Sequence, residues 1–104
     1  MSLDISLRAT IETTVVDKNI THNLAQMWRE AGVYDALYNS EGCIAGDLLP
    51  TLERGLRDMI ANPSRFKHLS ADNGWGTYEQ AVPWLSELVR EFKKYPEGII
   101  SISK

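Results

Sequence analysis

The chain holds one cysteine, two histidines and fewer basic than acidic side chains, and no stretch of it stays apolar for long. A lone Cys43 excludes an intrachain disulfide and cannot build a thiolate cage for a metal, so a reducing compartment suits the chain. No nucleophile motif surrounds Cys43, which reads as a small, half-buried apolar residue. Eleven Lys and Arg against 14 Asp and Glu leave a net charge of -3. That balance disfavours a nucleic-acid partner, which calls for a basic face. The cations that cluster in sequence, Arg54, Arg57, Arg65 and Lys67, are interleaved with acids, the pattern of a solvated helix face. No run approaches the roughly 20 apolar residues of a membrane span, and no leader pattern opens the chain. The expectation is a cytoplasmic protein with no membrane partner. There is no HExxH, P-loop or GxSxG motif, no repeat and no low-complexity segment.

What is present is periodicity. A chain of 104 residues, 43% of them hydrophobic, can bury one core, and a single α+β domain over residues 1–104 is expected. Over residues 3–15 the odd positions read Leu, Ile, Leu, Ala, Ile, Thr, Val and the even ones are polar. This period of two predicts one long strand, or a strand pair with a subtle bend, with a bulge near Arg8 to Thr10. Asp17-Lys18-Asn19 breaks the alternation. A helix follows over about 20–31, capped by Asn19 or Thr21, with Leu24, Met27, Trp28 and Ala31 on one stripe and Gly32 as its stop. A helical turn or two is predicted over 33–38 and a loop over 39–46.

The second long helix is predicted over 48–61 behind an Asp47 cap, with Pro50 at its third position. Its stripe is Leu48, Leu49, Leu52, Leu56, Met59 and Ile60, and Asn62-Pro63 ends it. A short helical turn over 63–69 and a turn at Asp72-Asn73-Gly74 follow. Thr77-x-x-Gln80 reads as a capping box that opens the last helix, to about Lys94. Tyr78, Ala81, Val82, Leu85, Leu88, Val89 and Phe92 line one face of it, and Pro83 should kink its first turn or restart it. Trp28 and Tyr34 belong to the core or an interface, and Trp84, off the stripe, is a sign of association. Residues 99–103 read as a strand whose simplest partner is the N-terminal one. The expected architecture is a small two-stranded sheet of N- and C-terminal strands packed on three principal helices. Two strands are marginal alone, and an open edge invites a second copy, so a homodimer is in view.

Three segments, NITHNLAQMWREAGVYDALY, LLPTLERGLRDMIANPSRF and NGWGTYEQAVPWLSELVREFKKYP, resemble a family of small uncharacterised proteins of phages, prophages and bacterial genomes. The resemblance covers nearly the whole chain and is carried chiefly by the NITHNL and NGWGTYE blocks. It implies a phage or prophage setting and no named reaction. Pro83 departs from the helix-friendly residue expected there, and the loop over 39–46 is short.

Both blocks hold more polar side chains than helix capping needs. Asn19, His22 and Asn23 in one, and Asn73, Trp75, Tyr78 and Glu79 in the other, are the candidate ligand-binding residues. Helix N-termini attract anions, and a histidine such as His22 could serve as acid, base or ligand. Trp75 and Tyr78 could floor a ring or a peptide, while the glycines let backbone approach closely. The sharper expectation joins the blocks in one polar cleft containing His22, Trp75, Tyr78 and Glu79. The plainer one has Asn19 as a cap, His22 donating to a carbonyl and Trp75 folded back on the core. A metal site needs three or four ligands, and the other histidine, His68, lies in a segment of ordinary surface composition. No metal, cofactor or catalytic residue is assigned. The leading function is a non-enzymatic interaction or ligand-binding module for a protein or small ligand. The alternatives are a small enzyme or metal-dependent hydrolase using His22 and Glu79, and a structural component of a phage-encoded assembly.

Overall fold

A computed structural model describes residues 2–8, 14–71 and 73–104, which form three strands and five α-helices. Strand β1 (Ser2–Arg8) is the middle of an antiparallel sheet, with β2 (Thr14–Thr21) on one side and β3 (Ile99–Ser103) on the other. The terminal strands do pair, but the expected two-stranded sheet lacked β2. Asp17-Lys18-Asn19 is no break: these residues pair with Ser6, Ile5 and Asp4. They look like a break because β2 is an edge strand, where polar side chains are tolerated on both faces. Lys18 lies opposite Ile5 on the core side and its ammonium reaches Glu87. An inward-pointing charge on an edge also discourages further strand pairing.

The register shifts between Leu7, opposite Val16, and Arg8, opposite Thr14, so Val15 is the extra residue. Val16, rather than Val15, is therefore buried. The remainder of the expected bulge, Ala9-Thr10, lies outside the described residues. Rows across the sheet place Leu3, Ile5 and Leu7 beside Ile20, Val16, Ile100 and Ile102 on the core face. The other face is polar, with Ser2, Asp4 and Ser6 among Asp17, Asn19, Thr21, Ser101 and Ser103. The outer edge of β3 is covered by the chain itself. Gly42 N–H donates to the Ile100 carbonyl at 2.8 Å, Ile100 N–H donates to the Cys43 carbonyl at 2.8 Å, and the Glu41 carboxylate accepts from Ile102 N–H at 2.6 Å. Cys43 serves there through its backbone, and the residue is exposed instead of half-buried.

Because β2 runs to Thr21, the first helix begins later than residue 20. Thr21 caps a 3-10 turn, His22–Leu24, by accepting from Asn23 N–H, and α1 (Ala25–Ala31) follows. Asn19, inside the strand, caps nothing. Gly32, with φ 77°, closes α1 as expected, and the short α2 (Tyr34–Tyr38) follows, burying Ala36, Leu37 and Tyr38. Helix α3 (Ala45–Ala61) starts before Asp47 and has no side-chain cap. Its first donors are taken from far along the chain: Ala45 N–H bonds the Gly98 carbonyl and Gly46 N–H the Pro96 carbonyl, at 2.9 and 2.8 Å. Pro50 is thus its sixth residue, not its third, and Pro83 is likewise sixth in α5 (Tyr78–Lys94), which runs through it unbroken. Both prolines are exposed, so each carbonyl left unpaired four residues earlier can turn to water.

Helices α3 and α5 are antiparallel: Tyr78 hydroxyl donates to the Met59 carbonyl at 2.7 Å, and Lys93 pairs with Glu53 at 3.1 Å. Gly55 lets α3 press on the α1–α2 corner, since a Cβ there would sit 2.9 Å from the Ala31 carbonyl oxygen and against Val33. Ile60, expected in the stripe, is 56% exposed, one residue past the buried Met59. Helix α4 (Pro63–Lys67) buries Phe66. Trp28 is core, and Trp84 covers it with ring centroids 5.7 Å apart. The Trp84 indole donates to the Asn19 carbonyl at 3.0 Å, so this residue ties α5 to β2 within the chain. No described helix is long and apolar enough to cross a membrane.

Candidate functional site

The NGWGTYE block is first of all a loop that holds its own backbone. Asn73 Oδ1 accepts from Trp75 N–H at 2.9 Å. Gln80 Oε1 accepts from Gly76 N–H at 2.8 Å and Thr77 N–H at 3.1 Å, and its Nε2 donates to the Gly74 carbonyl at 3.1 Å. With Thr77 this completes the expected capping box. Ser70 Oγ takes Tyr78 N–H at 2.9 Å, and Ala71 N–H bonds the Gly76 carbonyl. Gly74 and Gly76 supply φ angles of 79° and 99° that other residues rarely adopt. The turn throws Trp75 outward, 69% exposed, instead of folding it back on the core.

The two blocks meet. Asn23 Nδ2 donates to the Trp75 carbonyl at 2.9 Å. A Cβ on Gly76 would stand 2.8 Å from Asn23 Cβ and 3.3 Å from Thr21 Cγ2, so contact here depends on glycine. Between them is an open cleft of about 580 Å³ whose wall includes Asn19, Thr21, Asn23, Asn73, Trp75 and Gln80, with Ser2 and Ile20 at the sheet end. None of these side chains is charged. Asn19 is engaged, its Nδ2 donating to Ser2 Oγ at 2.9 Å and to the Asp4 carboxylate. Asn23 Oδ1, Asn73 Nδ2 and the Trp75 indole N–H make no hydrogen bond among the described residues.

Three candidates lie elsewhere. His22 Nδ1 is 2.8 Å from the Tyr38 hydroxyl, not at a backbone carbonyl, and the two rings are 5.4 Å apart. Tyr38 stacks on Tyr34 at 4.5 Å, and the Arg29 guanidinium covers Tyr34 from 4.1 Å. Burial raises the Tyr38 pKa, the charge of Tyr34 adds to this, and Arg29 opposes it. Tyr78 points its hydroxyl at Met59, away from the cleft. Glu79 is exposed on the first turn of α5 and is not part of the wall. Asn19, Asn23, Asn73 and Trp75 therefore come together, while His22, Tyr78 and Glu79 do not join them. Thr21, Gln80 and Ser2 are wall residues that sequence reasoning left out. Gln80 had been assigned its capping role, and nothing in its spacing signals the second one. No three His, Cys, Asp or Glu side chains converge among the described residues. Of the sequence's basic cluster, Arg65 is engaged by Asp58 and, at 3.0 Å, by Glu30. No protein-family model matches the chain, and no curated protein or solved structure proves similar to it.

Proposed function

We propose that the chain is a non-enzymatic ligand-binding module, in the phage or prophage setting that the resemblance implies, and that the cleft between β2 and the Asn73–Gln80 loop is where it binds. The supporting observation is what remains after the backbone is satisfied. Both blocks spend most of their polar atoms on the fold, yet an exposed indole, an amide donor and an amide oxygen of the cleft residues take no partner among the described residues. A cleft of about 580 Å³ with an aromatic side chain and a few placed polar groups is of a size that suits small ligands. The alternative that uses His22 and Glu79 draws no support from this cleft, whose wall includes neither residue.

Thermal unfolding of wild type, Trp75→Ala and His22→Ala against metals, nucleotides, sugars and small metabolites tests this. A compound at 100 times its dissociation constant adds about 2.7 kcal/mol. It should raise the midpoint of wild type and His22→Ala and leave Trp75→Ala unmoved. Stabilisation lost in His22→Ala and kept in Trp75→Ala would move the site to the aromatic stack. A second reading, a structural part of a phage-encoded assembly, draws on the same hydrogen bonds, because Asn23 and Gln80 already serve the fold. Concentration-independent dimers in light scattering, with no compound binding, would favour it.

A further inference from the structure

The chemistry of the cleft wall restricts what it can hold, and this step rests on the ligand-binding proposal above. We infer that the ligand is a neutral, hydroxyl-rich ring, a sugar or the end of a glycan chain, stacked on Trp75 and hydrogen-bonded by Asn23 and Asn73. Three observations lead there. The first is charge. Among the described residues no cation lines the cleft, while the Asp4 carboxylate sits directly behind Asn19. A phosphate or carboxylate ligand would enter a field of its own sign with no partner, and burying an unpaired charge is costly. Nucleotides and acidic sugars are thereby disfavoured.

The second is the type of polar group. Asn, Gln, Ser and Thr side chains each both donate and accept, which is also true of every sugar hydroxyl. Asn23 Oδ1 and Asn73 Nδ2, both on cleft residues and without a partner among the described residues, offer one acceptor and one donor. Hydroxyls of a sugar can use either.

The third is Trp75. Lone exposed aromatic residues are common and by themselves mean little. Trp75 differs in being held at both ends of its backbone, its N–H by Asn73 and its carbonyl by Asn23. The backbone that carries the indole is thereby set beside a wall without charged side chains, and a preorganised backbone spares part of the ordering cost of binding. The face of an indole is electron-rich, and the C–H bonds on one face of a pyranose carry the complementary partial positive charge. A peptide fits less well, since the wall offers it one aliphatic side chain, Ile20.

The experiment uses the three tryptophan indole N–H resonances of the full chain in a proton–nitrogen correlation spectrum, assigned with Trp75→Ala. The probes are glucose, galactose, N-acetylglucosamine and their disaccharides, adenosine and uridine monophosphates, and a proline-rich peptide. A neutral sugar should move the Trp75 resonance saturably and leave that of buried Trp28 in place. Movement of the loop amides should vanish in Trp75→Ala. Asn73→Asp keeps the acceptor for Trp75 N–H but loses the donor, and should weaken binding roughly three- to tenfold, one hydrogen bond's worth. Both variants change exposed side chains, so melting points near wild type show that they fold. If a nucleotide or the peptide moves Trp75 and no sugar does, the sugar inference falls and the cleft stands. If no probe moves it, both fall. A sugar response that survives Trp75→Ala places the sugar elsewhere and overturns the inference.

Discussion

Asn23 and His22 are adjacent in sequence and turn to different uses. Asn23 enters the cleft wall, where backbone groups are tied down and side-chain tips are left over. His22 enters an aromatic stack, where its Nδ1 is taken by Tyr38, Tyr38 lies on Tyr34 and Tyr34 lies under Arg29. The blocks looked like one site because both carry surplus polar residues. The structure shows two kinds of surplus. In the stack a polar group is consumed by a partner in the half-buried layer; at the cleft it stays available. Composition alone cannot separate these, because the distinction lies in which atoms remain once backbone donors and acceptors are paired.

The comparison breaks most visibly at Gly76, which holds the cleft together and is remote from the stack. Gly76→Ala combines an unfavourable φ of 99° with a Cβ 2.8 Å from Asn23 Cβ. The expected loss is about 3 kcal/mol from strain and overpacking together, a fall of more than ~10 °C in the melting point. Gly74→Ala is the control. Its φ is 79° but no atom lies within 4 Å of the added methyl, so about 1 kcal/mol is expected. Equal melting points for the two variants would show that the blocks are not in contact as described.

Next in size is Tyr38→Phe, which tests the stack. Losing the hydroxyl leaves His22 Nδ1 without its partner in a half-buried place, at a cost of about 1 kcal/mol at neutral pH. The variant should also lose an alkaline dependence. Burial raises the Tyr38 pKa above the ordinary tyrosine value near 10. The folded state then holds the proton that the unfolded chain has released, so stability is full below pH ~10 and declines as pH rises from there through the folded-state value. Urea unfolding of wild type and Tyr38→Phe from pH 8 to 11 reads the difference. Ligand stabilisation should be unchanged by this substitution; if it disappears, stack and cleft are one site after all.

How much was legible depended on how local each cause was. The capping box at Thr77 and Gln80, the Gly32 stop and strand β3 follow from residues close in sequence, and all three are present. The start of α3 was not readable, because carbonyls of Pro96 and Gly98 supply its cap from some fifty residues away. Strand β2 was hidden for a related reason. Asp17, Lys18 and Asn19 gain their strand character from pairing with β1 and, in the case of Lys18, from Glu87 on α5. At the site, the meeting of the two blocks follows from their shared surplus, but their membership only in part: Asn19, Asn23, Asn73 and Trp75 line the cleft, while His22, Tyr78 and Glu79 do not. No spacing rule points His22 at Tyr38, 16 residues on, or turns Trp75 outward.

The smallest expected effect sharpens the comparison by opposing the two ends of the pH scale. Beside the cleft, β2 is tied to α5 by Lys18–Glu87 and by the bond from Trp84 to the Asn19 carbonyl. The Glu87 pKa is lowered, first by its hydrogen bond from Lys18 and then by that residue's charge. A lowered carboxyl contributes stability above its ordinary value of about 4.3, which is lost as pH falls through the folded-state value. Acid should therefore loosen the cleft side first and alkali the stack side, where Tyr38 titrates. The melting point alone cannot read this, since Asp58, lowered by its hydrogen bond from Arg65, adds to the acid response. Amide exchange can: on going from pH 5 to pH 3, protection relative to intrinsic rates should fall over residues 18–20 before it falls over 34–38. Glu87→Gln should remove that difference, and salt should blunt it in wild type because the carboxylate is largely exposed. Simultaneous loss in both segments would mean that β2 and α2 open as one unit, and that the cleft and the stack, however different their chemistry, share one mechanical fate.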